Sequence, residues 1–259
     1  MPKTEAVHSQ TATRTETMNY YIITGTSRGL GKALAEALLK EEQNCVIGVS
    51  RNCTITHERY RHQPLDFSDI AGVEHNLHKV FSLFTDAQKI VLVNNAGVIG
   101  DIGYIGQSKN EHFEFVFDVN VIVPAMFMNL FLQSYQHRKD VEKMIVNISS
   151  GAGQKAKDGW AAYCASKAAL DMLSQTAQLE QDKLGTGVKV FSLSPGIIDT
   201  EMQEQIREAD PVQFSSVQQF RDYKANGDLA APEHTAQKVI QLMENTSLAR
   251  GVVCSVRDF

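Results

Sequence analysis

Tyr163 and Lys167 stand four residues apart in the run Tyr163-Cys164-Ala165-Ser166-Lys167, a spacing that sets both side chains on one helical face about one turn apart. An ammonium beside a phenol favours the phenolate, lowers its pKa toward working pH and makes the tyrosine a usable proton donor and acceptor. By itself such a pair is a common exposed helix pair. Here it follows Ser149 and Ser150, which end an apolar run, in a chain that also carries a turn suited to a dinucleotide. That turn, Thr24-Gly25-Thr26-Ser27-Arg28-Gly29-Leu30-Gly31, joins an apolar run to an amphipathic stretch. Its glycines permit a tight bend, close approach of backbone to a pyrophosphate and close helix–strand packing, while the helix start supplies N–H donors and the positive end of a dipole. An ordinary β–α turn would be the reading without a ligand.

The second apolar run ends Gly48-Val49-Ser50-Arg51, with Arg51 where an NAD-binding fold usually sets an acidic residue against the ribose 2′-hydroxyl. Together with Arg28 it is suited to clamp a 2′-phosphate through charge-assisted hydrogen bonds, which favours NADP over NAD. Two solvated surface arginines are the alternative. Asp66 is placed to accept from an adenine amino group, or else serves the start of a helix near Ser68. The run Asn94-Asn95-Ala96-Gly97 puts small and amide-bearing residues, Asn94, Ala96 and Gly97 among them, at the carboxyl edge of a sheet, where open α/β folds bind ligands.

These motifs need elements to hold them. From Tyr20 onward short apolar runs alternate with longer amphipathic stretches, the signature of βαβ units. The pattern predicts strands over Tyr20–Thr24, Cys45–Ser50, Gln63–Asp66, Ile90–Val93, Lys143–Ile148, Val188–Leu193 and Val252–Ser255, and helices over Leu30–Glu42, Asp69–Phe84, Asn110–Arg138, Tyr163–Lys183 and Pro232–Glu244. Runs such as Val91-Leu92-Val93 are apolar on both faces, as when helices cover both sides of a sheet. The expected fold is therefore a single doubly wound, Rossmann-type α/β domain: a seven-stranded parallel sheet with helices on both faces. A polar excursion at about 199–228 interrupts the alternation and reads as a lid or binding loop. Within it Met202, Ile206 and Phe214 are lid candidates or the inner faces of short helices, and Trp160 is a pocket wall or a core side chain.

The composition narrows the partners. The 25 Lys and Arg against 30 Asp and Glu give a net charge of -5 with no basic block, which disfavours nucleic acid and anionic membranes. The most apolar run, Val119–Leu132, is interrupted by Asn120, Pro124 and Asn129 and falls short of the roughly 18 residues of a spanning helix. The four cysteines form no CxxC and the eight histidines no ligand spacing, so neither a disulfide framework nor a metal site is expected and a cytoplasmic setting is the default. Residues 1–17, rich in threonine and poor in large apolar side chains, read as a disordered tail, native or an expression scar, ahead of a catalytic domain over 18–259.

In order along the chain, TGTSRGLG, NNAG, Asn120, NISS, YCASK and Ser194-Pro195-Gly196 resemble the single-domain branch of the short-chain dehydrogenase/reductase family, over nearly everything from Tyr20 to Phe259. The resemblance implies a catalytic tetrad of Asn120, Ser150, Tyr163 and Lys167, with Ser150 chosen because it lies 13 residues before Tyr163. It implies that Asn120 positions a water that resupplies the proton and that Lys167 holds the nicotinamide ribose. It further implies that the Pro195–Thr200 segment, through Pro195, Gly196, Ile198 and Thr200, covers the nicotinamide. Within the family, the stretches around Asn147–Gly153, Gly159–Cys164 and Pro195–Glu208 are similar to the benzil reductases and their sepiapterin reductase relatives. Where the latter anchor a pterin with an acidic residue, the nearest equivalent here is Ser255, with Asp258 farther on, which argues against a pterin. The expected activity is NADPH-dependent reduction of a ketone or 1,2-diketone, with Trp160, Met202 and Ile206 near the substrate. An NADPH-binding sensor is the non-enzymatic alternative. The long helices Asn110–Arg138 and Tyr163–Lys183 are the expected surface for a homodimer or homotetramer.

Overall fold

The apolar runs become β1 (Met18–Thr24), β2 (Asn44–Ser50), β3 (Tyr60–Pro64), β4 (Ala87–Asn94), β5 (Glu142–Ile148), β6 (Lys189–Ser194) and β7 (Val253–Ser255) in a computed structural model that describes residues 17–259. The tail expected over 1–17 thus lies, Thr17 excepted, outside the described residues. The strands form one parallel sheet in the order β3-β2-β1-β4-β5-β6-β7. The chain leaves β1 first toward β2 and later returns to its other side with β4, so the crevice at the carboxyl ends of β1 and β4 is where a doubly wound sheet binds its ligand.

Alternation along each strand divides the core into two layers. Tyr21, Ile23, Val91, Val93 and Val146 point to the face covered by α1 (Gly29–Leu38) and α8 (Pro232–Glu244), against Leu34, Leu38, Val239 and Leu242. Ile22, Ile90, Leu92, Ile145 and Val190 point to the other, where α2 (Ile70–Asn76), α4 (Val123–Tyr135) and α5 (Ala161–Leu184) bring Val73, Phe127, Phe131 and Ala177.

Several expected boundaries are corrected. The strand expected over Gln63–Asp66 lies at Tyr60–Pro64, because parallel pairing matches Val46 with Tyr60 and Ser50 with Pro64. The chain is then free to bend at Asp66, whose carboxylate accepts from both Ser68 N and Ser68 Oγ. The helix expected over Leu30–Glu42 stops at Leu38, whose carbonyl accepts from Asn44 Nδ2. The one expected over Asp69–Phe84 ends as a helix at Asn76 and tightens into a 3₁₀ turn over Leu77–Lys79. Asn110–Arg138 resolves into α3 (Asn110–Phe117), a π turn over Asp118–Ile122, and α4. Pro124, at the start of α4, has no N–H to return to the carbonyl four residues back, which permits the widened turn.

The whole helical stretch Asn110–Tyr135, 26 residues, is long and apolar enough to cross a membrane, unlike the shorter Val119–Leu132 run. Its inner face, through Val119, Val123, Phe127 and Phe131, is buried against the sheet. The excursion is folded rather than loose. It contains α6 (Glu201–Arg207) and α7 (Val217–Ala225), and its base is pinched shut by Asp199 N donating to Ala230 O and Ala230 N donating to Ile197 O.

A Cβ at Gly31 would lie 2.3 Å from the Gly25 carbonyl oxygen and 2.4 Å from Asn95 Nδ2, so α1 reaches β1 only because that atom is missing. Gly31→Ala, benign by helix propensity alone, should instead cost about 1–3 kcal/mol through overpacking. Urea unfolding reads this directly, and an unchanged midpoint would contradict the packing account.

Candidate active site

The turn after β1 adopts the left-handed region at Gly25 (φ 74°) and Gly29 (φ 56°), where a Cβ is disfavoured. Arg28 precedes α1 in extended conformation and makes no side-chain cap, so no side chain there competes for the first-turn N–H groups. The turn is pinned from β4. Thr24 Oγ1 accepts from the backbone N–H of Asn95 and of Ala96 at 3.0 Å each, and Asn95 Nδ2 donates to Thr24 O at 2.9 Å and to Gly25 O at 3.3 Å. Asn95, which the sequence marked only as part of the Asn94–Gly97 run, is therefore the amide that shapes the turn. Asn94, expected at the cofactor, is corrected: strand alternation turns it inward, where Nδ2 donates to Asn147 Oδ1 at 2.8 Å, and it does not line the cavity.

One cavity of about 1080 Å³ runs along the carboxyl edge of the sheet. It is lined by Gly25, Ser27, Arg28, Gly29 and Leu30 of the turn, and by Ala96 and Gly97. Pro195, Gly196, Ile198 and Thr200 border it after β6. Gly31 lies behind it, as packing rather than lining. At one end stand Arg51 and Asp66. Hydrogen bonds from Ser68, aided by the charge of Arg51, hold the Asp66 carboxyl below its usual range. Arg28 is engaged in an ion pair with Glu201 of α6, whereas Arg51 makes none among the described residues.

At the other end lies the expected tetrad. Ser150 follows β5, its Oγ accepting from Ala152 N at 3.2 Å, and Tyr163 occupies the first turn of α5, 7% exposed. Lys167, one turn on and 4% exposed, donates from Nζ to Ile148 O at 2.8 Å, with Nζ 5.8 Å from the centre of the Tyr163 ring. A Cβ at Gly97 would lie 3.3 Å from Asn120 Oδ1 and 3.5 Å from Lys167 Nζ, so these groups converge on one point. Asn120, expected to position a water, is not part of the cavity lining, and its side chain braces the loop behind it. It sits in the π turn, its Oδ1 accepts from Val98 N, and its Nδ2 donates to Val98 O and to Ser166 Oγ. Its side-chain amide is committed to protein partners, which leaves the positioning of a water to other atoms.

The electrostatics differ from the simple expectation of a lysine-activated phenol. Burial pushes the Tyr163 hydroxyl up to about 12, partly offset by the Ser150 hydroxyl beside it. Burial also lowers the Lys167 ammonium to about 8, with Asp171 pulling it back up. At neutral pH the pair is a protonated phenol next to a cation. Asp171 was missed, although Tyr163, Lys167 and Asp171 fall on successive turns of α5 and the spacing could have revealed it. Its buried carboxylate oxygen Oδ1 accepts at 2.6 Å from both Ser149 Oγ and Ser192 Oγ, joining α5 to β5 and β6.

Above Tyr163 the excursion closes the cavity. Trp160, 6% exposed, stacks on Phe214 at 5.0 Å, meets Phe220 at 5.4 Å and stands edge-on to Tyr163 at 5.6 Å. It is at once core and cavity wall. Met202 and Ile206 line the cavity, while Phe214, fully buried, forms the inner face of the lid. Asp158 fastens the lid by accepting from Ser215 N, Ser215 Oγ and the Tyr104 hydroxyl. The lining residues Phe115, Lys157, Phe220 and Tyr223 were not expected from the sequence, since nothing local marks them as neighbours of Tyr163.

Comparison with known proteins agrees with this geometry. The short chain dehydrogenase family profile matches residues 19–211. The chain is 34% identical over 251 residues to benzil reductase ((S)-benzoin forming) of Bacillus cereus, covering 93% of this chain and 100% of that protein. It is 32% identical to the enzyme of the same name from Bacillus subtilis (strain 168), over 93% and 100% of the two chains. Identity to sepiapterin reductase of Xenopus laevis is 28%, over 89% and 92%. Among solved structures, the KRED1-Pglu enzyme shares the fold with a TM-score of 0.76 at 24% identity, over 88% of this chain and 95% of that one.

Proposed function

The chain belongs to the short-chain dehydrogenase family of oxidoreductases, and from that premise we propose that it is an NADPH-dependent carbonyl reductase acting on a ketone or 1,2-diketone, with Tyr163 as general acid. One observation carries the reading: a buried phenol, protonated at neutral pH, beside a buried ammonium and the Ser150 hydroxyl, all opening into a cavity that begins at a glycine turn. The turn, with no Cβ at Gly25, Gly29 or Gly31 and uncapped helical N–H groups, fits a pyrophosphate. Arg51, without an ionic partner among the described residues, fits a 2′-phosphate, with Arg28 joining it once freed from Glu201. A reduced nicotinamide supplies the hydride when bound.

The residues of the chain do the rest. Ser150 and Tyr163 hydrogen-bond the carbonyl oxygen, and the phenol delivers its proton to the oxygen as negative charge develops there. Lys167, held by Ile148 O, then stabilises the phenolate left behind, because a cation beside an anion is worth most where water is excluded. The aromatic wall of Trp160 and Phe220, with Met202 and Ile206, suits the aryl diketone that the names of the bacterial relatives describe. The further partner we assign is a second copy of the chain, on the face where Ile122 of the π turn and Met172 and Leu179 of α5 are exposed.

Tyr163→Phe should keep NADPH binding and lose at least about 100-fold in kcat with benzil, the span of general acid catalysis. NADPH absorbance follows the rate, and a fully active variant would overturn the assignment. Loss of the Lys167 charge should lower kcat/KM as the pH rises through about 8, while Tyr163 remains protonated up to about 12; a profile flat from pH 6 to pH 10 would exclude a charged lysine from the mechanism. Arg51→Ala should raise KM for NADPH about 10-fold or more and leave KM for NADH nearly unchanged, the loss of one charge-assisted contact. Equal effects on the two cofactors would instead mean that Arg51 never meets the 2′ position.

A further inference from the structure

The charged residues that line the cavity are not evenly matched. Each lining carboxylate is engaged: Asp66 by Ser68, Asp199 by Lys224 at 2.6 Å, Glu201 by Arg28, and Asp258 by Ser255 N at 2.8 Å. Arg51 and Lys167 aside, three lining cations, Lys155, Lys157 and Arg257, have no carboxylate within ion-pair distance among the described residues. Of these Lys157 is held in place. It is half-buried, with its Nζ 5.6 Å from the Trp160 ring centre and 5.3 Å from that of Phe220, two rings that pack on each other beside Tyr163. Asp158, next in the chain, does not neutralise it, being spent on Ser215 and Tyr104. The indole N–H of Trp160 is buried with no hydrogen-bond acceptor among the described residues. Lys157 is thus a cavity-lining cation without an anion among the described residues, and an unpaired cation held at a cavity wall favours an anionic ligand.

We propose that the cavity takes a carbonyl compound that is also an anion, an aryl keto acid whose carboxylate is seated by Lys157 at the Trp160–Phe220 wall while its ketone reaches Ser150 and Tyr163. The proposal rests on the reductase reading of the same site and narrows it, because benzil-type diketones carry no charge. Trp160 contacts the ring of Tyr163 and the ammonium of Lys157, and the proposed substrate accordingly carries its ketone and carboxylate several bonds apart. The reaction is otherwise unchanged: hydride adds to the ketone carbon, Tyr163 protonates the oxygen, and the carboxylate takes no part. Its contribution is orientation and affinity, through a charge-assisted hydrogen bond.

The discriminating pair of compounds is 4-oxo-4-phenylbutanoate and its methyl ester, which differ in charge and share the ketone. In the unaltered protein kcat/KM for the acid should exceed that for the ester about 10-fold or more. Lys157→Met, which keeps the stem that packs on the rings, should bring the ratio close to one, and Lys157→Arg should restore it. Trp160 is the only tryptophan, so its fluorescence reports binding independently of turnover. Saturable quenching by the acid and not the ester, lost in Lys157→Met, is the expected result. Reduction of both compounds with equal kcat/KM, or quenching by the acid that is the same in Lys157→Met, overturns the anion site and leaves the reductase reading standing. Acid-specific, Lys157-dependent quenching with neither compound reduced by NADPH or NADH supports the site and tells against the reductase.

Discussion

A buried ammonium is the constraint around which the carboxyl edge of this sheet is built. Removing a charge from water costs several kcal/mol unless hydrogen bonds and opposite charge replace its hydration. Lys167 recovers that loss from the Ile148 carbonyl and from the field of Asp171, one turn farther along α5. Asp171 is satisfied in turn by the hydroxyls of Ser149 and Ser192. Apolar packing of α5 on the sheet is non-directional and tolerates a slide along the helix axis, but this polar ladder does not. It fixes the register in which Tyr163 faces Ser150, so the polar network is what converts a generic helix-on-sheet contact into a site.

The same logic of satisfied and unsatisfied groups organises the cavity. Where the chain needs rigidity the polar groups are closed on one another: Thr24 with the amides of Asn95 and Ala96, Asn120 with Val98 and Ser166, Asp158 with Ser215 and Tyr104. At the mouth of the cavity and under its lid, Arg51, Lys157 and the Trp160 N–H have no such closure among the described residues. The π turn belongs to the first group. It turns Asn120 toward Val98, and the irregularity that Pro124 permits is used to brace the loop that carries Gly97.

Much of this was legible along the chain because it is local. The Gly25–Gly31 turn, the Tyr163–Lys167 spacing and the alternation of apolar runs depend on residues near one another, and each carries its own physical signature. The position of β3 was not legible, since Tyr60–Pro64 is hardly more strand-like than Gln63–Asp66 and pairing with β2 chooses between them. Nor was the choice between Asn94 and Asn95, which alternation at the end of β4 makes for them.

By itself the sequence determined the doubly wound parallel fold and the placing of Tyr163 and Lys167 one helical turn apart, because hydrophobic period and helical spacing are properties of the chain. Tertiary structure decided the charge state of that pair, since burial, which no single segment contains, raises the phenol and lowers the ammonium. It also decided the aromatic end of the cavity beside Tyr163. Lys157, Trp160, Phe214 and Phe220 meet only when the excursion between β6 and α8 folds back across the carboxyl edge, a contact between segments about 60 residues apart for which the sequence carries no local sign.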